Sequence, residues 1–182
     1  MQITKTLYVD NRADWRKWLS ENGDTETEIW LVYPRKLSGR VRIPYNDAVE
    51  EALCFGWIDS IEKSLDEQNS AQRFTPRKSR SNWSELNKER ARRMIASGKM
   101  TESGSAKLCD LSVDNFKIAP DILQALQADE TTYNNFQHFP DYYKRIRIGF
   151  IEEVRKQPEV FQKRLSNFVR MTAQNKKFGT IL

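Results

Sequence analysis

A stretch rich in hydrogen-bond donors, residues 74–84, precedes an amphipathic segment that we expect to form a helix. It carries three basic side chains, two aromatic ones and four hydroxyls. The first backbone N–H groups of a helix have no acceptor within the helix, so donors gathered there can bind an anion. We therefore expect a phosphate or carboxylate pocket in which Arg77 and Lys78 supply charge and Ser81 and Ser84 supply hydroxyls.

The same stretch also has a purely structural interpretation. Trp83 would be buried, Ser81 or Ser84 would cap the helix, and the basic side chains would be solvated. Capping alone explains the serines. The arginines that follow on the helix are expected to lie mostly on a solvated face: Arg90, Arg92 and Arg93.

A second candidate is the segment Gly-Trp-Ile-Asp at 56–59, which is expected to be extended. Alternation along a strand points Trp57 and Asp59 to the same side. Asp59 near Arg77 could act in acid–base chemistry or orient the guanidinium, and a structural ion pair explains the same residues. The two candidates together predict one ligand-binding site, with no catalytic residue assigned: Trp57, Asp59, Arg77, Lys78, Ser81 and Trp83.

Nothing in the chain predicts a metal or cofactor site. His138 is the only histidine, and Cys54 and Cys109 lie 55 residues apart without zinc-ligand spacing. Both thiols fall in apolar helical patterns, which favours buried structural cysteines. No nucleic-acid-binding motif is evident, so we do not expect nucleic acid as the partner, and weak binding to it is retained only as an alternative.

The composition is that of an ordinary globular chain. Of the 182 residues, 38% are hydrophobic and 30% are charged, and the net charge of +5 favours acidic partners mildly. No apolar run approaches the roughly 20 residues of a membrane span, and the charged N-terminus is unlike a secretory signal. We therefore expect a reduced, cytoplasmic setting.

The first part of the chain alternates short apolar runs with helical patterns. We expect a helix over 12–22, capped by Asp10 or Asn11 and ended by Gly23, and a second helix that has Asn46 or Asp47 in its first turn and runs to about Phe55. A further helix ends at Gly98, and a short one capped by Thr101 reaches Cys109 or Leu111. The expected strands lie at 7–9, 29–33, 40–43, 56–59 and 73–76.

The last part of the chain is expected to be helical. After a linker at 112–119, helices are predicted at 120–128, 130–136, 140–156 and 158–176, with Pro120, Pro140 and Pro158 at first helical positions. The predicted class is α+β: a small mixed sheet with flanking helices (domain 1–111), followed by an α-helical C-terminal extension (domain 119–182).

The helices of the extension carry an apolar stripe and a charged face. The stripe is expected to be core, or alternatively a protein-docking surface. Its members are Phe150, Ile151, Val154, Phe161, Leu165, Phe168, Val169 and Met171. The charged face is expected only to be solvated: Lys144, Arg145, Arg147, Lys163, Arg164 and Arg170.

Several motifs over about residues 7–110 resemble the YdeI/OmpD-associated family (OmdA, bacteriocin protection). They are Tyr-Asn-Asp-Ala-Val-Glu-Glu-Ala-Leu-Cys-Phe-Gly-Trp-Ile-Asp at 45–59, Arg-Phe-Thr-Pro-Arg-Lys at 73–78, Ser-Asn-Trp-Ser at 81–84, and Gly-Lys-Met-Thr at 98–101 with Gly104. The C-terminal helices from Ala119 to Phe178 look like the family's helical tail. The resemblance implies a bacterial, cytoplasmic protein linked to envelope stress and protection against antimicrobial peptides. It implies no known reaction, cofactor or catalytic set.

The leading functional hypothesis is a non-catalytic binding or interaction protein. Its ligand would be anionic, and a protein partner could contact the C-terminal helices. The alternatives are a small-molecule enzyme that uses Asp59 and Arg77, and a weak nucleic-acid binder.

Overall fold

The structure is a computed structural model that describes residues 2–78, 81–180 and 182. It divides into two compact units: Met1–Asn82 with Arg90–Asp110, and Trp83–Glu89 with Leu111–Leu182. The first unit contains a small mixed sheet with flanking helices, and the second is helical. The α+β class predicted from the sequence is confirmed.

Within the described residues, the first unit has a four-stranded sheet in the order β1-β2-β4-β3. The strands are β1 (Thr6–Leu7), β2 (Ile29–Pro34), β3 (Trp57–Ser64) and β4 (Asn69–Pro76). β1 is parallel to β2, whereas β4 is antiparallel to both of its neighbours. β2 is buried along its whole length, as expected of a central strand with an unbroken apolar sequence.

The strand predicted at 40–43 is wrong. This segment is irregular, and it follows a 3-10 helix at Lys36–Ser38. Both sides of β2 are occupied, by β1 and by β4, and other contacts hold the segment. The guanidinium of Arg40 lies 4.1 Å from the ring centroid of Tyr8, whose hydroxyl donates to the Val41 carbonyl at 2.6 Å.

The first helix, α1 (Arg12–Asn22), lies between the cap and the stop predicted for it. Asn11 Oδ1 accepts from the Asp14 amide at 2.9 Å, and Gly23 ends the helix. Trp15 is fully buried and packs edge-on against Phe74 of β4, with ring centroids 5.4 Å apart. An aromatic core thus fixes α1 on one face of the sheet.

The second helix, α2 (Tyr45–Cys54), turns into β3 through Gly56. Gly56 has φ +73°, and a Cβ there would lie 2.9 Å from the Ser103 carbonyl oxygen. The short helix α4 (Glu102–Ser105) packs close by, with Thr101 accepting from the Gly104 amide at 3.2 Å as its cap.

Two predictions for this region are wrong. α4 ends at Ser105. The amides of Lys107 and Leu108 donate to carbonyls three residues back instead of four, which tightens the chain and ends the helix. Cys109 therefore lies outside a helix and is only half-buried, whereas Cys54 is buried.

The third helix, α3 (Glu85–Ala96), ends before Gly98, which has φ +68° as expected of a residue that closes a helix. Arg90 is not solvated, contrary to prediction. It shares the buried face with Ala91 and Met94, retains 3% exposure, and donates to Asn46 Oδ1 at 2.6 Å.

The second unit contains α5 (Pro120–Gln127), α6 (Glu130–His138), α7 (Asp141–Glu152) and α8 (Pro158–Ala173). Pro120 and Pro158 occupy first-turn positions, but Pro140 is the cap residue of α7 instead. The predicted apolar stripe is largely core, since five of its members are buried: Ile151, Val154, Phe161, Leu165 and Phe168. Phe150 is an exception at 38% exposure.

Arg147 of α7 also departs from its predicted solvated position. It retains only 7% exposure, since it follows Tyr143 and precedes Ile151 by four residues each, on the buried side of the helix. Among residues 2–78, 81–180 and 182, no helix combines the length and the apolar character needed to cross a membrane.

Candidate functional site

Trp57 belongs to the aromatic core of the first unit. Its indole Nε1 donates to the Gly23 carbonyl at 3.0 Å, and its ring packs edge-on against Trp18, with centroids 5.8 Å apart. Only 1% of the residue is exposed. Because the residue is almost fully buried, Trp57 does not offer a stacking surface to a ligand.

Asp59 lies two residues further along β3, and its carboxylate meets α2. The Tyr45 hydroxyl donates to Asp59 Oδ2 at 2.5 Å. The negative charge of Asp59 also acts on two buried guanidiniums, Arg77 and Arg90, each 3% exposed. Burial lowers the pKa of both arginines, and the field of Asp59 opposes that shift.

The remaining predicted site residues are distributed over both units. Arg77 Nη1 donates to the Asn82 carbonyl at 3.1 Å, and the Ser81 amide donates to the carbonyl of the exposed Lys78 at 3.0 Å. Trp83 is half-buried and belongs to the second unit. The capping role falls to Ser84, whose Oγ accepts from the Asn87 amide at 3.2 Å. Ser79 and Arg80, which complete the donor-rich stretch, lie outside the described residues.

An irregularity in β3 decides which acidic side chains share a face. Asp59 pairs with Phe74 and Glu62 pairs with Gln72, so three steps on β3 match two on β4. Residues three apart on a regular strand point to opposite faces, and the bulge therefore brings Glu62 to the side of Asp59. This places two carboxylates on the face that α2 covers.

A small cleft of about 180 Å³ opens at this face of the first unit. It is lined by Tyr33 of β2, Gln72 of β4, Glu62 of β3, Tyr45 of α2 and Arg42 of the preceding loop. Tyr33 is only 5% exposed, and its hydroxyl oxygen is buried without a hydrogen-bond partner among the residues that the structure describes. Arg42 lies above the Tyr33 ring, 5.9 Å from its centroid.

Both phenols of the cleft hold their protons strongly. Burial raises the pKa of Tyr33 above its usual value, with further contributions from Tyr45 and Asp59. Partial burial likewise raises the pKa of Tyr45, and so does its hydrogen bond to Asp59. Each phenol is therefore a neutral O–H donor across the physiological range.

A wider and more open cleft of about 450 Å³ shares Arg42 and Glu62 with the first one. Its walls add three basic side chains, Arg35, Lys36 and Lys63, and two serines, Ser64 and Ser70. Arg35 Nη2 donates to Ser64 Oγ at 3.0 Å. Four basic groups and one carboxylate thus surround the approach to Tyr33.

Sequence reasoning found Asp59, which is hydrogen-bonded to Tyr45, but missed the residues that line these clefts. Tyr33 belongs to an apolar strand, a pattern that predicts a core residue. Glu62 reaches the cleft because of the bulge in β3, which no sequence signal indicates. The basic character of the wider cleft has a weak signal in the sequence, because four basic residues fall within eight positions: Arg35, Lys36, Arg40 and Arg42.

Two family models match the chain. Residues 7–107, more than half of the chain, match the family described as Domain of unknown function (DUF8412). Residues 115–175 match the family described as Bacteriocin-protection, YdeI or OmpD-Associated (OmdA). The resemblance to the latter is thus shown on the helices of the second unit, and not on residues 7–110, where the sequence motifs indicate it. No curated protein and no solved structure matches the chain. The chain belongs to the DUF8412 family, and its second unit carries the OmdA match.

Proposed function

We propose that the first unit is a non-catalytic binding module for a small anionic molecule, held in the cleft of Tyr33, Arg42, Tyr45, Glu62 and Gln72. The observation that carries this proposal is the buried Tyr33 hydroxyl without a partner among the described residues. Leaving a buried polar group unsatisfied costs about 1–3 kcal/mol. A ligand that accepts from this hydroxyl would recover that cost.

The charges around the cleft support an anion. Arg35, Lys36, Arg42 and Lys63 line the adjoining cleft against Glu62 alone. Such a basic approach raises the local concentration of an anion, and the guanidinium of Arg42 can receive a carboxylate or phosphate with two parallel hydrogen bonds. The predicted anion contacts Arg77, Lys78 and Ser81 do not line either cleft.

The biological role that we propose follows from the second unit. Its match supports a link to bacteriocin protection at the level of the family. We extend this to a role in envelope stress in a reduced cytoplasmic setting, as the motifs of the chain imply. The buried thiol of Cys54 is consistent with such a setting.

A thermal-shift screen tests the binding proposal. The panel contains nucleotides, sugar phosphates and small carboxylates at low and moderate salt, with wild type, Tyr33→Phe and Arg42→Ala. A ligand at 100 times its dissociation constant adds about 2.7 kcal/mol to the free energy of unfolding. We expect a compound that stabilises the wild type and stabilises both variants much less.

Lys17→Ala is the matched control, because it removes one positive charge from the first unit at a residue 73% exposed and outside both clefts. It should retain the ligand-induced shift. A shift that Lys17→Ala and Arg42→Ala lose equally would be a general charge effect and would overturn the proposal.

The 2.5 Å hydrogen bond between Tyr45 and Asp59 favours one second candidate, an enzyme that uses Asp59 and Arg77. A carboxylate bonded to a phenol could move a proton to or from a bound molecule. Asp59→Asn would then abolish turnover of a compound from the panel while its binding persists. A binding module instead predicts that no panel compound is converted by the wild type.

A further inference from the structure

We propose that the second unit holds an anion site of its own, in a cavity of about 360 Å³ beside Arg147. The ligand is a small organic carboxylate or phosphate monoester with an apolar body. Ser84, Leu86, Phe150 and Thr180 are among the residues that line the cavity. None of them belongs to the clefts of the first unit, so this site is independent of the function proposed above.

The central observation is the environment of Arg147. The residue retains 7% exposure, and its Nε atom is buried without a hydrogen-bond partner among the residues that the structure describes. Across the described part of the chain, Arg147 forms no ion pair with a carboxylate; its neighbours are the rings of Phe178 and Phe150, at 4.2 and 4.9 Å. Burial lowers the pKa of Arg147, as expected of a cation that lacks a counter-charge.

A buried guanidinium of this kind is costly in the absence of a counter-charge. Attraction to two aromatic faces offsets only part of this cost, since a buried charge normally has an ionic or hydrogen-bonding partner. The guanidinium also sits close to the C-terminal segment: a Cβ added to Gly179 would lie 2.4 Å from Nη1. An anion in the adjacent cavity would supply the missing charge.

The start of α3 provides a second set of donors at the same cavity. Ser84, Glu85 and Leu86 line it, and Ser84 Oγ is engaged with the Asn87 amide at 3.2 Å. The amides of Glu85 and Leu86 are in the first turn and have no acceptor within the helix. They add to the positive end of the helix dipole, which favours an anion on the same side as Arg147.

The acidic side chains that line the cavity are already neutralised. Glu85 Oε1 accepts from Lys88 Nζ at 2.7 Å, and Glu153 lies 3.9 Å from Arg164. Burial raises the pKa of Glu153, and the charge of Arg164 opposes that shift. Among the described residues that line the cavity, the charge without a counter-charge is that of Arg147, so the site fits a single anionic group.

The rest of the wall is apolar and defines the body of the ligand. Phe150 is 38% exposed and lines the cavity together with Ile146 and Leu86. The volume of about 360 Å³ lies at the small end of the range for ligand pockets, about 300–1,000 Å³. A ligand with an anionic group beside Arg147 and an aromatic or aliphatic body against Phe150 would match both the charged and the apolar part of the cavity wall.

Titrations of the full chain with benzoate, phenyl phosphate and inorganic phosphate test this proposal. Binding is followed by calorimetry and by the melting temperature at low salt. We expect benzoate or phenyl phosphate to bind, and Arg147→Met to weaken the binding at least about tenfold, as the loss of a charge-assisted hydrogen bond implies. Arg170→Met is the control, since Arg170 carries the same charge, contacts Asn167 and does not line the cavity.

A second variant keeps the proposal falsifiable if Arg147→Met does not fold. Phe150→Ala removes a partly exposed ring and should weaken phenyl phosphate binding while leaving inorganic phosphate unchanged. The proposal is overturned if none of the three probes binds the wild type. It is also overturned if Arg170→Met loses as much affinity as Arg147→Met. Binding that survives unchanged in Arg147→Met overturns the proposal too, and would assign Arg147 a structural role against Phe178.

Discussion

The hydroxyl of Tyr45, the first residue of α2, lies 2.5 Å from Oδ2 of Asp59 on β3. This hydrogen bond joins a helix to the strand whose bulge also carries Glu62. Asp59 in turn acts electrostatically on Arg77 and Arg90, two arginines inside the first unit. Asp59, which the sequence suggests as a possible acid–base group, therefore also links α2 to β3 and offsets the charge of two buried arginines.

Removing the Tyr33 hydroxyl should stabilise the protein in the absence of ligand. Tyr33→Phe deletes a buried oxygen that has no partner among the described residues, and we expect the free energy of unfolding to rise by up to about 1–3 kcal/mol. Urea unfolding measures the change. Tyr8→Phe is the opposite case, because its hydroxyl donates to Val41 at 2.6 Å, and it should lose about 1 kcal/mol. A loss in both variants would mean that Tyr33 has a partner.

Glu51 should be one of the most sensitive polar residues of the first unit. Its carboxylate is 1% exposed and is bonded by Arg12 and, at 2.6 Å, by Arg16. We expect Glu51→Ala to lower the free energy of unfolding by about 3 kcal/mol, the lower end for a broken buried pair, because Arg12 keeps Glu50 at 2.8 Å. The surface pair Lys17–Glu21 provides the control, and Glu21→Ala should cost less than about 1 kcal/mol.

Gly104 should not tolerate a side chain, although it lies in a helix. Alanine normally stabilises a helix by about 1 kcal/mol relative to glycine. Here a Cβ would lie 2.1 Å from the Cys54 carbonyl oxygen, so Gly104→Ala should lower the melting temperature, with a cost of at least about 1–3 kcal/mol. In Gly149→Ala the new Cβ would lie 2.8 Å from Cγ and 3.0 Å from Cβ of Glu85, which is a milder clash than one with a backbone oxygen at 2.1 Å, and thermal unfolding should show a smaller loss.

The second unit should lose part of its stability in acid through Asp121. Hydrogen bonds from Arg155, at 2.9 and 3.1 Å, lower the pKa of this carboxyl below its usual value of about 3.9. A lowered folded-state pKa stabilises the protein above the unfolded-state value, and the contribution is lost as the pH falls through the folded-state pKa.

Asp121→Asn should therefore reduce stability slightly at neutral pH, by less than about 1 kcal/mol because the pair is exposed. The difference from wild type should shrink below about pH 4 and vanish at lower pH. Melting curves of both proteins from neutral pH downward measure it, with Arg155→Ala as the partner variant. A difference that is constant across the pH range would show that the ion pair does not cause it.

The helical elements could be predicted because their signals are local. Asn11 and Gly23 bracket α1, Gly98 follows α3, and prolines open α5 and α8. The strand predicted at 40–43 failed because pairing depends on distant partners, and both sides of β2 were already taken.

The buried arginines were missed for a different reason. Charged residues in a helix are usually solvated, but the distance of these two arginines from buried apolar residues along the sequence indicates an inward position. Arg90 precedes the buried Met94 by four residues, and Arg147 lies four residues from both Tyr143 and Ile151. Residues four apart share a helix face, so both arginines could have been placed inward. The Tyr33 cleft could not be predicted, because Glu62 lines it only through the bulge in β3, which no local sequence pattern indicates.

The central claim is that the first unit binds a small anion through Tyr33 and Arg42. The most direct test is a ligand titration of wild type, Tyr33→Phe, Arg42→Ala and Lys17→Ala with the best anionic compound of the screen, followed by melting temperature at two salt concentrations. We expect stabilisation of the wild type and Lys17→Ala, with at least about tenfold weaker binding in the two cleft variants. Equal binding by all four proteins would contradict it, as would a panel in which no anion stabilises the wild type.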